Sequence, residues 1–395
     1  MTLRTITTAL QDRWTSDLPP ASNSPAAPLV AGQGKVDRGT RFSTSRRIPS
    51  LDGLRAVSIT MVLVSHLSGT HHAFALGFVN LSALGNFGVR IFFVISGFLI
   101  TTQLLEEARS NGAISLKNFY LRRFFRIFPA FYAYVAAIAM AGLLGWVALR
   151  PGDLLHACTY TMNYHYVRSW WFGHIWSLSV EEQFYVVWPV ILVVLGIRKG
   201  LMSAGMVMLL APLIRVAYWY LLPAQREGID EAFPTICDAL AAGCALAGTR
   251  DWLSLQGRYL AFLRSRAFYL IPVLAFAANQ LNIHPLFDDL IGQTVMNVAL
   301  ALTVDRFVRF PDSLVGRVLN LPLFAFIGVL SYSIYLWQQP FLNRHSEALI
   351  ASFPLNLALV GAMALASYYT VERPFLRVRK RFEISGPGRK REKTQ

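Results

Sequence analysis

Arg55 and His66 lie eleven residues apart in "LDGLRAVSITMVLVSH" (51–66), a stretch otherwise apolar enough to enter a bilayer. An ionisable side chain in hydrocarbon costs roughly 2.5–3.5 kcal/mol for Arg on insertion scales, so both need a polar surrounding. On an α-helix eleven residues end about 20° past three full circles. Both side chains therefore share one face, about 16 Å apart along the axis. Such a stripe faces a cavity or other helices, and an imidazole that titrates near neutral pH is a candidate general base.

Three more stretches carry polar groups that an inert bundle avoids. In "HIWSLSVEEQFYVVWP" (174–189), His174, Ser177, Glu181 and Tyr185 fall on one helical face, and Glu182 lies about 100° away. An intramembrane carboxylate is a functional candidate by default, so Glu181 joins His66 as a catalytic candidate if both look into one cavity. His174 reads either as part of that face or as a cap bonded to backbone. In "FYLRRFFRIFP" (119–129), Arg122 and Arg126 are helical neighbours. They read either as a charge anchor at the inner face or as a guanidinium fork for phosphate oxygens. In "FGVRIFFVISGFLITTQLL" (87–105), Ser96-Gly97 reads as a close helix contact and Arg90 either as snorkelling or as facing a cavity.

These groups must be held by membrane helices. The chain has 395 residues, 54% hydrophobic and only 15% charged, where soluble domains carry about a quarter charged residues. Its long apolar runs predict an all-α, polytopic integral membrane protein. Ten candidate spans are expected at about 54–71, 84–105, 127–149, 174–196, 201–222, 233–249, 267–284, 288–307, 320–341 and 347–371. With both termini cytoplasmic, Lys and Arg in the connecting loops split 14 to 4 in favour of the inner side, as the positive-inside rule requires. Residues 1–47, rich in Pro, Ser, Thr and Ala, read as a disordered cytoplasmic segment without a signal-peptide core. Residues 48–376 form the transmembrane domain and 377–395 a basic cytoplasmic tail.

The net charge of +15 flanks the apolar segments and builds no folded basic face, so nucleic acid is not expected as a partner. Cys158, Cys237 and Cys244 are too few and too scattered for a disulfide framework, and the last two suit packed thiols. No P-loop, dinucleotide fingerprint or HExxH zinc motif is present, and no metal is expected. A phosphate-bearing donor and an acceptor deprotonated inside the membrane suggest group transfer, without naming the group.

The ordered motifs "LDGLRAVSITMVLVSH", "GVRIFFVISGFLI", "FYLRRFFRIFP", "HIWSLSVEEQFYVVWP", "GVLSYSIYLWQQPFL" and "VERPF" resemble the membrane acyltransferase 3 family over about residues 48–376. The resemblance implies transfer of an acyl group, acetyl first among them, from cytosolic acyl-CoA to a hydroxyl. The implied acceptors are carbohydrates of the cell surface, exported glycans or macrolides, and the implied place is the bacterial plasma membrane. It matches Arg55 and His66 to the family's basic-x10-His pair, Arg122 and Arg126 to its RxxxR signature, and Glu181 to its fourth-span acid. Arg55, Arg122 and Arg126 are then expected to bind acyl-CoA. His174, Ser177, Tyr185, Arg90 and Ser96 are expected to support the substrate or the site. One departure stands out: the family commonly has His after "YLW", and this chain has Gln338, expected to be structural. Glu372 and Arg373 of "VERPF" are expected to pair locally. A chain without an appended hydrolase-like domain leans away from peptidoglycan as acceptor. A secondary transporter is the rival class, but no matching pair of Gly/Pro-broken spans supports it.

Overall fold

The computed structural model describes residues 48, 50–73, 80–281 and 291–384. Among them the secondary structure is helical, without a strand. The α-helices are α1 Leu51–Leu67, α2 Leu81–Asn111, α3 Leu116–Leu143, α4 Asp153–Cys158, α5 Trp176–Leu195, α6 Ile197–Leu221 and α7 Phe233–Ser254. They continue as α8 Gly257–Arg264, α9 Leu270–Leu281, α10 Gln293–Arg309, α11 Leu314–Leu319, α12 Pro322–Phe341, α13 Leu355–Ser367 and α14 Arg373–Ile384. A 3₁₀ segment, Trp170–Ile175, leads into α5, and a π-turn, Tyr368–Glu372, joins α13 to α14.

Each expected span contains one of these helices. By length and apolar composition, four segments are able to cross a membrane: α2, α3, Trp170–Leu195 and α6. A fifth follows if the pair Gly257–Arg264 and Arg266–Gln280, bent by 68°, counts as one crossing. The remaining helices are shorter or more polar, so the candidate crossings are fewer than the ten expected. The long apolar helices nonetheless make this a membrane protein. The N-terminal segment 1–47 and the tail beyond residue 384 lie outside the described residues. Residues 377–384 of the expected tail continue α14, which packs on α3.

α2 is the hub. Its apolar window is 78% buried, against 22% for α6. α6 instead exposes Met202, Met206, Leu209 and Leu213, which suits lipid better than a core. Local signals set the ends of α2: the Asn80 side chain accepts the Ala83 amide at 3.1 Å, and Gly112 closes the helix at φ 74°. α2 packs against α1 on one side and α7 on the other. The α2–α7 approach depends on glycine, because a Cβ on Gly97 would strike the Leu240 backbone and one on Gly243 the Val94 backbone. The small-residue reading therefore holds for Gly97. Buried Cys244 sits in the same seam, its thiol 3.8 Å from the Gly97 carbonyl, and is a packed thiol as expected. α12 closes on the other flank of α1, where Gly328 lies directly against the Asp52 backbone.

Candidate active site

Arg55, near the start of α1, reaches a narrow cavity of about 50 Å³ between α1, α2, α5 and α12. Val89, Phe92, Phe93, Glu181, Ser331 and Tyr335 are among its walls. The helical face expected in α5 holds. Ser96 donates its hydroxyl to Glu181 Oε1 at 2.6 Å, and the Tyr185 hydroxyl lies 3.1 Å from Ser96 Oγ. Ser96 therefore holds the Glu181 carboxylate and Gly97 beside it is a packing residue, a division that the dipeptide alone does not reveal. Ser177 Oγ lies 2.5 Å from the Tyr335 hydroxyl, which in turn donates to the His174 carbonyl at 2.8 Å. His174 is buried and bonds the Leu336 carbonyl through Nε2 at 3.1 Å. It clamps the 3₁₀ segment to α12, the backbone-bonding alternative of the two sequence readings.

The two arginines of α3 part company. Arg122 donates to Glu107 at 2.7 Å, and the other oxygen of Glu107 accepts the Ser115 amide at 3.1 Å. This arginine locks the α2–α3 turn. Arg126 makes no side-chain ion pair or hydrogen bond with another described residue, and neither does Arg55. The charge of Arg126 acts on Arg55 and on Glu372, so these groups converge at one end of the helix bundle. Of the two arginines, Arg122 is thus held within the protein, while Arg126 is not held by another described residue. The reason is competition: Glu107, across a short turn, captures Arg122 first. Arg123, between them, turns inward over the rings of Phe119 and Tyr185, at 5.7 and 5.4 Å, and donates to Gln103 at 2.9 Å. Sequence reasoning gave Arg123 no role of its own, although it lies over the Tyr185 ring.

His66 does not line the cavity of Glu181. It sits toward the other end of α1, where Gln338 Oε1 lies 2.8 Å from its Nδ1 and the Trp170 ring meets it edge-on at 6.1 Å. Trp170 is packed in turn by His345 at 5.2 Å and by the Arg344 guanidinium at 5.4 Å. Glu181 thus lines the cavity that Arg55 reaches, and His66 stands beside Trp170 and Gln338. α12 links the two, since Ser331, Tyr335 and Gln338 fall at i, i+4 and i+7 on one face. That spacing in "SYSIYLWQQ" was a readable signal for a polar face on α12.

Two further expectations change. Arg90 neither snorkels nor lines the cavity; it is buried and donates to Gln293 at 2.7 Å and Asn297 at 3.4 Å, with Asp230 at 3.8 Å. It braces α2 against α10. Glu372 and Arg373 do not pair with each other: Glu372 accepts from the Ser333 hydroxyl inside the core, and Arg373 lies over the Tyr369 ring at 5.5 Å. Adjacent helical residues diverge by about 100°, which sends one inward and the other outward.

The Acyltransferase domain model (Acyl_transf_3) matches residues 48–372. The chain belongs to this acyltransferase family. Among curated relatives, it is 28% identical over 379 residues to a Staphylococcus aureus (strain COL) protein provisionally named O-acetyltransferase SACOL0978, covering 85% of this chain and 58% of the relative. It is 27% identical to a Bacillus subtilis (strain 168) protein provisionally named peptidoglycan O-acetyltransferase YrhL, covering 83% and 55%. It is 26% identical to the peptidoglycan O-acetyltransferase OatA of Listeria monocytogenes, covering 86% and 57%. The chain thus spans a little over half the length of the curated relatives it matches. Because peptidoglycan enzymes match over this same part, the expected lean away from peptidoglycan loses its basis. No solved structure matches the chain significantly.

Proposed function

We propose that the chain is a membrane O-acyltransferase that moves an acetyl group from cytosolic acetyl-CoA to a hydroxyl of a cell-surface or exported carbohydrate. The observation that carries this reading is that Arg55 reaches a cavity walled by Glu181, while neither Arg55 nor Arg126 makes an ion pair or hydrogen bond through its side chain with another described residue. Guanidiniums not hydrogen-bonded to the described residues can take an anion, and the phosphates of CoA would meet them bidentately. Arg55 and His66 stand about 16 Å apart along α1, a span for an extended pantetheine arm. The cavity would widen between α1, α2, α5 and α12 to admit that arm.

In this reading the acceptor enters at the Trp170, Arg344 and His345 end. His66 takes the hydroxyl proton as the oxygen attacks the thioester carbonyl. The carbon–oxygen ester bond forms, the carbon–sulfur bond breaks, and the departing thiolate takes up the proton held by the imidazolium. Glu181, bonded to Ser96 and near Tyr185, orders the donor channel. The lipid bilayer would be the bacterial plasma membrane, with the Arg55 end facing the cytosol.

The test separates the arginines. Losing a hydrogen bond to a charged group costs about 1.5–3 kcal/mol, so Arg55→Gln and Arg126→Gln are each expected to raise KM for acetyl-CoA roughly 10–100-fold. Arg122→Gln, whose partner is Glu107, should leave that KM within about twofold and cost under ~1 kcal/mol of stability. The measurement is transfer of labelled acetyl from acetyl-CoA to purified peptidoglycan or surface polysaccharide in membranes holding each variant. Equal KM values for Arg126→Gln and Arg122→Gln would overturn the assignment of the phosphate end.

A further inference from the structure

Gln338 is completely buried on α12, and its Oε1 lies 2.8 Å from His66 Nδ1. A neutral imidazole carries one N–H, and an amide oxygen only accepts. This contact therefore puts the imidazole proton on Nδ1 and leaves the Nε2 lone pair available to a hydroxyl. The amide nitrogen of Gln338 is buried with no hydrogen-bond partner among the described residues. An orphaned buried donor costs about 1–3 kcal/mol, whereas a leucine of similar size would leave no such debt in an inert core. The glutamine is thus a poor choice for stability and a good one for orienting a ring.

We propose that Gln338 is the positioning residue of His66, holding the imidazole in the Nδ1–H tautomer with Nε2 free as the base. This rests on the reading of His66 as the proton acceptor. The amide differs in kind from two other orienting groups. A carboxylate would add a charge that favours imidazolium before the hydroxyl arrives. A histidine at this place would titrate, and each of its nitrogens could change between donor and acceptor. The amide does neither, so His66 keeps one tautomer across the working pH range. The other titratable or charged groups that act on His66 are Arg344, in the segment after α12, and His174, in the 3₁₀ segment before α5. His345 stands behind the Trp170 ring. All three remain in every variant below.

The test uses the full chain labelled with ¹⁵N-histidine in detergent or nanodiscs, with the His66 signals assigned by their loss in His66→Gln. Nitrogen shifts report the tautomer without any need for activity. The wild type is expected to show a protonated Nδ1 and an unprotonated Nε2, and Gln338→Leu a mixture of tautomers. In the transfer assay Gln338→Leu should lower kcat by about 10²-fold, the scale of a misplaced catalytic group, with KM for acetyl-CoA within twofold. Gln338→Glu should move the acid limb of the kcat/KM profile up by about 1–3 pH units, because a carboxylate beside the ring favours the protonated base. A wild-type His66 protonated on Nε2 would overturn the proposal. So would an unchanged tautomer in Gln338→Leu, even with activity lost, because the loss would then be repacking. If Gln338→Leu does not fold, the wild-type tautomer and the Gln338→Glu profile still decide. Full transfer by His66→Gln, with the tautomer as stated, would instead overturn the reading of His66 as base.

Discussion

Replacing His66 by glutamine is expected to slow acyl transfer by about 10²–10⁴-fold, the usual contribution of a positioned general base. Glutamine keeps a polar group of similar reach beside Gln338, so the pocket next to Trp170 stays filled. It has no lone pair basic enough to take a hydroxyl proton, and the loss should fall on kcat. KM for acetyl-CoA should change little, since the proposed donor contacts, Arg55 and Arg126, lie away from His66. Membranes carrying wild type or His66→Gln, given labelled acetyl-CoA and peptidoglycan, provide the check. Equal transfer by both would remove His66 from the chemistry. The proton acceptor would then be sought among the cavity groups, with Glu181 first.

Replacing Asp238 by alanine is expected to destabilise the fold by about 3–5 kcal/mol, the cost of removing one member of a buried ion pair. Arg215 on α6 and Asp238 on α7 are both fully buried and lie 3.0 Å apart. Arg215 also donates to the Thr235 carbonyl at 2.7 Å and to Thr294 at 2.9 Å, which ties α6, α7 and α10 together. Thermal unfolding of the detergent-solubilised chain should show a lower midpoint for Asp238→Ala. The double variant Arg215→Met with Asp238→Leu should recover most of it, because removing both charges removes the desolvation debt as well. A single variant as stable as wild type would show that water or lipid headgroups reach this pair.

The sequence carried the helices well. Each of the ten apolar stretches contains a helix, and the shared face of Ser177, Glu181 and Tyr185 is present as helical spacing requires. These features follow from period and composition within one segment, where rotation per residue is nearly constant. Partnership between segments was less legible. Arg122 and Arg126 look alike along the chain, yet Glu107 takes one and leaves the other open. Arg90 had two reasonable destinations, and Gln293 and Asn297, some 200 residues away, give it a third. Ser96 and Gly97 are neighbours with unrelated tasks, because one faces α5 and the other α7.

Membrane class, helical architecture and the residues able to do chemistry were determined by the sequence alone, since apolar length and helical phase are local properties. Only the tertiary structure decided how those residues divide. It placed Glu181 with Arg55 at one cavity, paired Arg122 with Glu107 and set Gln338 against the imidazole of His66. Which charge meets which partner depends on where helices cross and how each is rotated about its axis. Those quantities are set by close contacts such as Gly97 on Leu240 and Gly328 on Asp52, between residues far apart in the chain.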